Sequence, residues 1–532
     1  MTTSGTTTAL NGSRREAITR RSMIVGILLS LLMGGAVLVG TSDGLAIGQR
    51  DAPSYLSSAE NLQGGLGYRT SYGDPGKPVD FEQTTSPVVD FPPGYPAILS
   101  VGVMLGADSQ TTARLVSALL VFGITFVVFL KAQTLSRFRS GVAAASLVAL
   151  IAGALTLPFT TSALSEPSYG VLLVLTLVAA TSYAQTKRSM ALVFATLLAT
   201  FATTVRTSGL ALVGTVMVVA WLALRGSRRR WFVPLVVGIV GVAPFYLSTA
   251  LGNRVPAWHP PDIGSFKELA NGVAEWFIPP IGTPTLRVAA FVVLIAGLLA
   301  WARPWARRDG EVEKVASVPP LWSVGVIAAG AHLGLLLMTK FFLSSQLSLG
   351  SRQLYPVGLA LLFASMQFLG RRSDEQSDKR IAHGFVLLGL ACLLASSWVS
   401  AVALNAVSSG MRGFNSTEFL ESETVEYVVG SIPGDRVFGN APDGLWIAGL
   451  PNTRPLPIAY DPLSLADNEL MDEEMSRLAE EVEDGAVLFY RLDGRAYMVE
   501  ESDLKAIAPC EVVADEIAVV LASADHAACS ES

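Results

Sequence analysis

Five charged residues at the ends of long apolar runs are the candidates for chemistry in this sequence. Asp51 follows the first apolar run and Glu166 opens a later one. A carboxylate in such a place can accept a proton or bind hydroxyl groups. Arg206, Lys340 and Arg352 stand at other run ends. An arginine can hold a phosphate through two N–H groups, and a lysine can hold it as a point charge.

Four of these residues also have a structural explanation. Arg206 and Lys340 can lay their stems along apolar surface and keep their charge in interfacial water. Glu166 can stabilise the start of its helix, where a negative charge is favourable. Asp51 can pair with its neighbour Arg50 in a surface loop. The residue types alone leave both explanations open. The choice between them depends on the helices and loops that position these residues.

The composition is typical of a polytopic membrane protein. The chain has 532 residues, of which 51% are hydrophobic and 15% charged, with a mean hydropathy of +0.47. A soluble protein carries about a quarter charged residues. The first apolar run begins at Met23 after the basic segment RREAITRR, and no small-residue cleavage site follows it. We therefore expect a retained signal-anchor helix.

The apolar runs predict a mainly α-helical membrane bundle of about 11 spans, since each span needs roughly 20 apolar residues. The predicted spans are 23–42, 112–131, 141–160, 166–185, 189–204, 207–225, 231–251, 288–302, 319–341, 353–370 and 382–405. Residues 95–107 are apolar but short, so we expect them to lie on or dip into the outer surface.

The positive-inside rule gives the predicted orientation. With a cytoplasmic N-terminus, the loops KAQTLSRFR, QTKRS, RGSRRR, RPWARRDGEVEK and RRSDEQSDKR all fall inside. The large first loop, 43–111, then lies outside, and so does the tail from 406. Asp51, Glu166, Arg206, Lys340 and Arg352 all fall on that outer face. A transporter would more often place such residues near the bilayer midplane, on broken helices.

The first loop resembles the GT-C membrane glycosyltransferases, which include the protein O-mannosyltransferases and the aminoarabinose transferases that modify lipid A. The resemblance rests on an acid after the first span, the pattern Y-x-x-x-A with a glycine turn, the segment PPGYP and an A-R-L before the next span. The matching positions are Asp51, Tyr55, Ala59, Gly64, Pro92, Pro93, Tyr95, Pro96, Gly106 and Arg114. SEPSYG around Glu166 and GSRQLYP around Arg352 also fit. Many relatives carry two consecutive acids at the first position, whereas here Ala52 follows Asp51.

The resemblance implies an inverting glycosyltransferase at the outer face of the plasma membrane. It would move a sugar from a polyprenyl-phosphate donor to a lipid, glycan or protein acceptor. One carboxylate takes the acceptor proton, and cations stabilise the departing phosphate. The implied roles are Asp51 as the base, Arg352, Lys340 and Arg206 as donor phosphate ligands, and Glu166, Tyr55 and Tyr95 as substrate-binding residues. No metal-ligand residues are assigned; no cofactor is certain, and a divalent metal stays open.

The sequence is also compatible with two other functions. A membrane transporter or lipid flippase with an external domain is the main alternative, and internal repeats with paired broken helices would favour it. A non-catalytic assembly scaffold is a third reading. The sequence has no P-loop, no H-E-x-x-H, no dinucleotide-binding glycine pattern and no dense basic patch for nucleic acid.

The tail differs from the rest in composition. From residue 411 onward it has about 25 acidic and 7 basic residues. Alternating helix and strand patterns predict a small extracytoplasmic α/β domain, with strands at 435–440, 485–492, 495–501 and 510–523. The predicted division is a cytoplasmic tail, 1–22, a transmembrane domain, 23–405, and this domain, 406–532. Cys510 and Cys529 are its only cysteines, and outside the cell they can form a disulfide.

Overall fold

A computed structural model gives the architecture. It describes residues 20–48, 51–88, 91–135, 142–249, 263–275, 322–342, 350–369, 413–462, 466–493 and 495–530, with short pieces between 278 and 293 and between 390 and 402. The predicted spans 288–302 and 382–405 lie mostly outside these residues.

The first part of the chain is helical. Its helices are α1 (Arg20–Gly40), α2 (Asp51–Gln63), α3 (Gly94–Met104), α4 (Ser109–Gln133), α5 (Val142–Thr156), α6 (Glu166–Thr186), α7 (Ser189–Val205), α8 (Gly209–Ala223), α9 (Arg229–Thr249), α10 (Ile263–Ala274), α11 (Trp322–Phe342) and α12 (Ser351–Leu369). A short 3₁₀ turn, Leu157–Phe159, extends α5. Asp108 caps α4, because its carboxylate accepts a hydrogen bond from the Thr111 backbone N–H.

Five helical segments among the described residues are long and apolar enough to cross a membrane. They are Arg20–Gly40, Ser109–Gln133, Val142–Phe159, Glu166–Thr186 and Ser323–Lys340. The predicted number of about 11 is therefore not confirmed. The predicted spans at 189–204 and 207–225 form α7 and α8, which have 17 and 15 residues and are shorter than a full apolar span. Residues 95–107 form α3, which at 11 residues is also too short to cross.

The packing of α6 against α12 depends on a glycine. A Cβ at Gly170 would collide with the hydroxyl of Tyr355, so the absence of a side chain lets α12 come close to α6. The Tyr355 hydroxyl is hydrogen-bonded to Thr156 of α5 at 2.9 Å, and its ring packs on Phe159. This contact fixes the start of α12 beside the start of α6.

The tail forms a small mixed sheet with helices around it. The strands are β1 (Val437–Gly439), β2 (Arg454–Pro455), β3 (Val487–Arg491), β4 (Cys510–Ala514) and β5 (Ala518–Ala522), in the order β2-β1-β3-β5-β4. β1 is parallel to β2 and β3, and β5 is antiparallel to β3 and β4. The helices are α13 (Thr417–Leu420), α14 (Glu423–Ser431), α15 (Pro442–Ile447), α16 (Met471–Glu483), α17 (Glu501–Ile507) and α18 (Ala527–Ser530).

Three details of the tail differ from the sequence-based prediction. Residues 510–523, predicted as one strand, form the two antiparallel strands β4 and β5. The predicted strand at 495–501 is wrong, because this segment makes only an isolated bridge, from Met498 to Ile458, and then turns into α17. β2 was not predicted, since its two residues show no strand periodicity. The structure does pair Cys510 with Cys529, with their Cα atoms 6.1 Å apart, so the predicted disulfide is confirmed. The bridge ties α18 to β4.

The first loop packs into the tail. Phe81 is buried in the core on one face of the sheet, 5.7 Å from the ring of Phe438. Backbone hydrogen bonds join Gly73 to Thr453 at 2.9 Å and Phe414 to Ile47 at 2.8 Å. The tail and the loop after α1 therefore form one continuous packed region at one end of the helix bundle.

Candidate active site

Four of the predicted site residues meet at this end of the bundle. Asp51 is the first residue of α2, and Glu166 is the first residue of α6. Arg206 ends α7, and Arg352 is the second residue of α12. Each lies at a helix terminus, which is why residues so far apart in the chain can reach one point.

Arg352 bridges the two acids. Its Nη2 donates to Asp51 Oδ2 at 2.5 Å, and its Nε donates to Glu166 Oε1. Arg206 Nη1 pairs with the same Oε1 of Glu166. The side chain of Glu166 is 1% exposed, whereas those of Asp51 and Arg352 are 25% and 32% exposed. Glu166 is thus the buried centre of the cluster, and Asp51 lies on its solvent side.

The cluster is balanced in charge. Two carboxylates face two guanidinium groups, which offsets the cost of burying Glu166. Both acids also lie in the first turn of a helix, where the dipole favours negative charge. Among the residues that the structure describes, Glu166 Oε2 has no hydrogen-bond partner. The site therefore keeps one buried acceptor atom available for a polar ligand.

Tyr55 and Tyr95 form an aromatic wall beside the acids. Their ring centroids are 5.2 Å apart in an edge-to-face arrangement, and Phe91 lies 5.2 Å from Tyr55 on another side. The Tyr55 hydroxyl lies 3.5 Å from the Ser165 hydroxyl. Burial, and next the charge of Asp51, raise the pKa of Tyr55 well above its ordinary value. Tyr55 therefore stays neutral and can bind a ligand only by hydrogen bonding and ring contact.

Ser165 is a site residue that the sequence reasoning missed. Its hydroxyl accepts from Arg206 Nη1 at 3.4 Å and also faces Tyr55. Its position directly before Glu166, at the start of an apolar run, was the available signal. Lys340 is directed to a different acid, since its Nζ lies 3.5 Å from Glu268 Oε2 in α10. Within the described ranges no group of three His, Cys, Asp or Glu side chains is arranged to hold a metal ion.

This arrangement can accept a proton and hold an anion. Asp51 is a partly exposed carboxylate, so a hydroxyl group can reach it from solvent. Arg352 has N–H groups directed at both acids, and an incoming phosphate would compete with the acids for them. Tyr55, Tyr95 and the unpartnered Glu166 oxygen are buried, so they line the cluster from the inside and Asp51 and Arg352 form its exposed part.

Comparison with known proteins gives the fold. No family model matches the sequence, and no curated protein matches it. The structural match to ArnT from Cupriavidus metallidurans in the apo state spans 94% of this chain and 97% of the ArnT chain. Its TM-score is 0.55 at 14% sequence identity. ArnT bound to undecaprenyl phosphate gives a TM-score of 0.52 at 15% identity with the same coverage.

The chain has the same fold as these ArnT structures.

A variant of the arabinofuranosyltransferase AftD from Mycobacteria is also similar in structure, with a TM-score of 0.51 and 15% sequence identity. The match spans 96% of this chain and 42% of the AftD chain. The resemblance seen in the first loop is thus confirmed at the level of the fold. Three of the residues matched by that resemblance, Asp51, Tyr55 and Tyr95, lie close to Glu166 and Arg352 in the structure.

Proposed function

We propose that this protein is a membrane glycosyltransferase that moves a sugar from a polyprenyl-phosphate donor to an acceptor, with inversion. The observation that carries the proposal is the Arg352 guanidinium, which joins Asp51 and Glu166 at the mouth of the site. A fold shared with a protein crystallised with undecaprenyl phosphate supports the choice of donor.

In the proposed reaction Asp51 is the general base. The acceptor hydroxyl oxygen attacks the anomeric carbon, and its proton passes to an Asp51 carboxylate oxygen. The bond between the anomeric carbon and the phosphate oxygen breaks, and the polyprenyl phosphate leaves with the bonding electron pair. Attack from the face opposite the leaving group inverts the anomeric centre. The carboxylate supports this role because it is ionisable, partly exposed and at the rim of the cluster.

Arg352 couples donor binding to activation of this base. In the structure its Nη2 donates to Asp51 Oδ2 and supplies the counter-charge of that carboxylate. A donor phosphate attracts the same guanidinium, so Asp51 loses part of its counter-charge when the donor binds. Arg206 remains paired with Glu166 when the donor binds, so the negative charge of this buried carboxylate stays neutralised.

The remaining assignments follow the same reasoning. Glu166, Tyr55 and Tyr95 bind hydroxyl groups and ring faces of the sugar or acceptor. Arg352 and Arg206 hold the donor phosphate. Lys340 is kept as an alternative phosphate ligand, although its ion pair is with Glu268.

We place the site at the outer face of the plasma membrane. The chain divides into a cytoplasmic tail, 1–22, a transmembrane domain, 23–405, and an extracytoplasmic domain, 406–532, which packs beside the site. The Cys510–Cys529 disulfide supports this orientation, because such bonds persist mainly outside the cytoplasm. The acceptor is a lipid, glycan or protein.

The substitution Asp51→Asn tests the proposal. It keeps the shape of the side chain and one acceptor oxygen for Arg352 but removes the group that takes the proton. Turnover should fall on the order of a hundredfold to ten-thousandfold. Binding of polyprenyl phosphate, measured separately, should persist. Both quantities are measured with purified protein and a polyprenyl-phosphate sugar.

Asp43→Asn is the matched control. Asp43 is an exposed acid of the same loop, next to Ser42, and it should be replaceable with little change in rate. Near-full transfer by Asp51→Asn, together with loss of transfer in Glu166→Gln, would show that the base is misassigned.

A further inference from the structure

A basic surface lies at the end of the bundle opposite the candidate active site. α8 begins three residues after Arg206 and runs away from the site, so its C-terminal end and the start of α9 are at the other end. The basic surface consists of Arg225, Arg228, Arg229, Arg230, Trp221 and Trp231.

The aromatic rings hold one arginine in place. The guanidinium carbon of Arg230 is 3.8 Å from the Trp221 ring centroid and 5.4 Å from that of Trp231. The two rings are 6.0 Å apart and edge-to-face, and Arg225 lies 5.9 Å from Trp221 on another side. Stacking of this kind fixes the guanidinium plane and leaves its N–H edges for an acceptor.

No counter-charge for these arginines is found in the part of the chain that the structure describes. No Asp or Glu occurs between Glu166 and Asp262. None of the four arginines forms an ion pair with any residue that the structure describes. Arg229 and Arg230 lie in the first turn of α9, where positive charge opposes the helix dipole. Helix stability therefore does not account for them, and an external anion would.

An apolar stripe continues from the basic surface along α9. Trp231 and Phe232 are 71% and 67% exposed, and Leu235 and Ile239 follow one and two turns further on, also exposed. These spacings put the side chains on one face of the helix. Positive charge at one end of an exposed apolar stripe matches the layout of a phospholipid, with its phosphate at the head and its chains alongside.

We propose that this surface binds an anionic phospholipid, with the headgroup phosphate on the arginines and the acyl chains along α9. This inference does not depend on the proposed transfer reaction, because the surface and the candidate active site lie at opposite ends of α8. A loop that serves only to orient the chain in the membrane needs positive charge but no particular side chain. Arg230→Lys separates the two explanations, since it keeps the charge and loses the stacked planar group.

The test measures binding of dioleoyl phosphatidylglycerol to the detergent-purified full chain by native mass spectrometry. The wild type should bind it saturably and at least about tenfold more tightly than phosphatidylcholine. Arg230→Lys should weaken binding about threefold to tenfold, and Arg229→Gln with Arg230→Gln about thirtyfold. Arg436→Gln with Lys505→Gln removes the same charge from exposed positions of the tail and should leave binding unchanged.

Three results would overturn the inference. The first is equal binding of phosphatidylcholine, and the second is wild-type binding by both arginine variants. The third is displacement of the lipid by inorganic phosphate at the same concentration, which would assign a free-phosphate site instead. A thermal unfolding curve for each variant shows that the chain is folded, and Arg230→Lys, the conservative change, decides the matter if the double variant does not fold.

Discussion

Arg352 holds both carboxylates of the candidate site through one guanidinium group. Its two bonds leave from different nitrogens, Nη2 to Asp51 and Nε to Glu166. The guanidinium makes the two contacts from two nitrogens fixed in one plane, whereas the three N–H donors of a lysine all leave a single nitrogen. A lysine at this position would therefore lose the fixed spacing of the two contacts.

Arg352→Lys should therefore lower activity although the charge is kept. Loss of one charge-assisted hydrogen bond costs about 1.5–3 kcal/mol, so kcat/KM should fall roughly tenfold to a hundredfold. The measurement is steady-state transfer together with the affinity for polyprenyl phosphate. Lys340→Met, which removes the alternative cation, should have the smaller effect.

Arg114→Lys is the matched control at the residue scale. Arg114 lies in the same outer region, but its side chain donates to Thr41 at 3.3 Å rather than to the acids. Lysine should serve there with little loss of rate. If both lysine variants transfer sugar at the wild-type rate, Arg352 has only an interfacial role.

At the scale of helices, the close approach of α6 and α12 positions Arg352 next to Glu166. Gly170→Ala would place a methyl group against the Tyr355 hydroxyl and push α12 outward. We expect a loss of about 1–3 kcal/mol in unfolding free energy. Because Arg352 starts α12, we also expect a drop in transfer rate of about tenfold or more. Thermal unfolding and transfer are measured on the same preparation.

Gly214→Ala provides the comparison for this prediction. Gly214 also lies inside a helix, α8, but no atom is within 4 Å of the Cβ that would be added. It should be neutral or slightly stabilising. Adding Tyr355→Phe to Gly170→Ala removes the colliding hydroxyl and should restore part of the lost rate. The prediction is contradicted if the two alanine variants behave alike.

The start of α14 depends on Asp515, which lies between β4 and β5. Its carboxylate accepts from the Ser422 hydroxyl at 2.6 Å and from the Ile517 and Ala518 backbone N–H groups at 2.8 and 2.9 Å. Burial alone would raise the pKa of Asp515, but these hydrogen bonds outweigh it and lower the pKa to about 2. The carboxylate therefore stabilises the folded tail in its ionised form.

The sign of the pH dependence follows from this lowered pKa. Stability from Asp515 is fully present above the pKa of about 4 that an unfolded Asp has, and it is lost as the pH falls through about 2. Asp515→Asn should cost about 1–2 kcal/mol at neutral pH, with the difference from wild type shrinking below pH 4. Denaturation of the solubilised protein at several pH values measures this.

An exposed acid of the same domain serves as reference. The side chain of Asp484 is 81% exposed and pairs with Arg436 at 3.4 Å, so Asp484→Asn should change stability little at any pH. A constant difference between Asp515→Asn and wild type from pH 7 to pH 2 would rule out the assigned role.

At the scale of the whole molecule, the tail and the first loop pack together beside the candidate site. Val79 donates its backbone N–H to Glu474 at 2.9 Å, and the ring of Tyr72 lies 6.0 Å from that of Trp446. Tyr72 in turn is hydrogen-bonded to Ser54 of α2, one turn after Asp51. The tail is thus linked through α2 to the residue proposed as the base, so all of these groups must lie on one side of the membrane.

Topology is therefore the prediction on which the proposed function depends. Reporter fusions at Arg228 should be cytoplasmic, and fusions at the C-terminus should be external, because the basic loops favour the inside. Without reductant, the Cys510 and Cys529 thiols should be unreactive in the purified protein. A cytoplasmic C-terminus would remove the basis for an outer-face site.

The sequence alone determined the features that arise from local pattern. Apolar runs predicted the five described helical segments that are long and apolar enough to cross a membrane, because hydrophobicity acts over one element at a time. Helix and strand periodicity predicted most of the tail. The order of residue types in the first loop predicted the fold, and residue type and position were enough to predict Asp51, Glu166 and Arg352 as site residues.

Only the tertiary structure decided which of these residues meet. Arg352 and Arg206 reach Glu166, whereas Lys340 is paired with Glu268, and nothing in the sequence ranks these cations. Ser165 lies in the SEPSYG segment, but its contacts with Arg206 and Tyr55 are visible only in the structure. Ion pairs between helix ends depend on how closely those helices pack, as α6 and α12 do at Gly170. That packing is set by contacts between distant parts of the chain, which a local pattern does not contain.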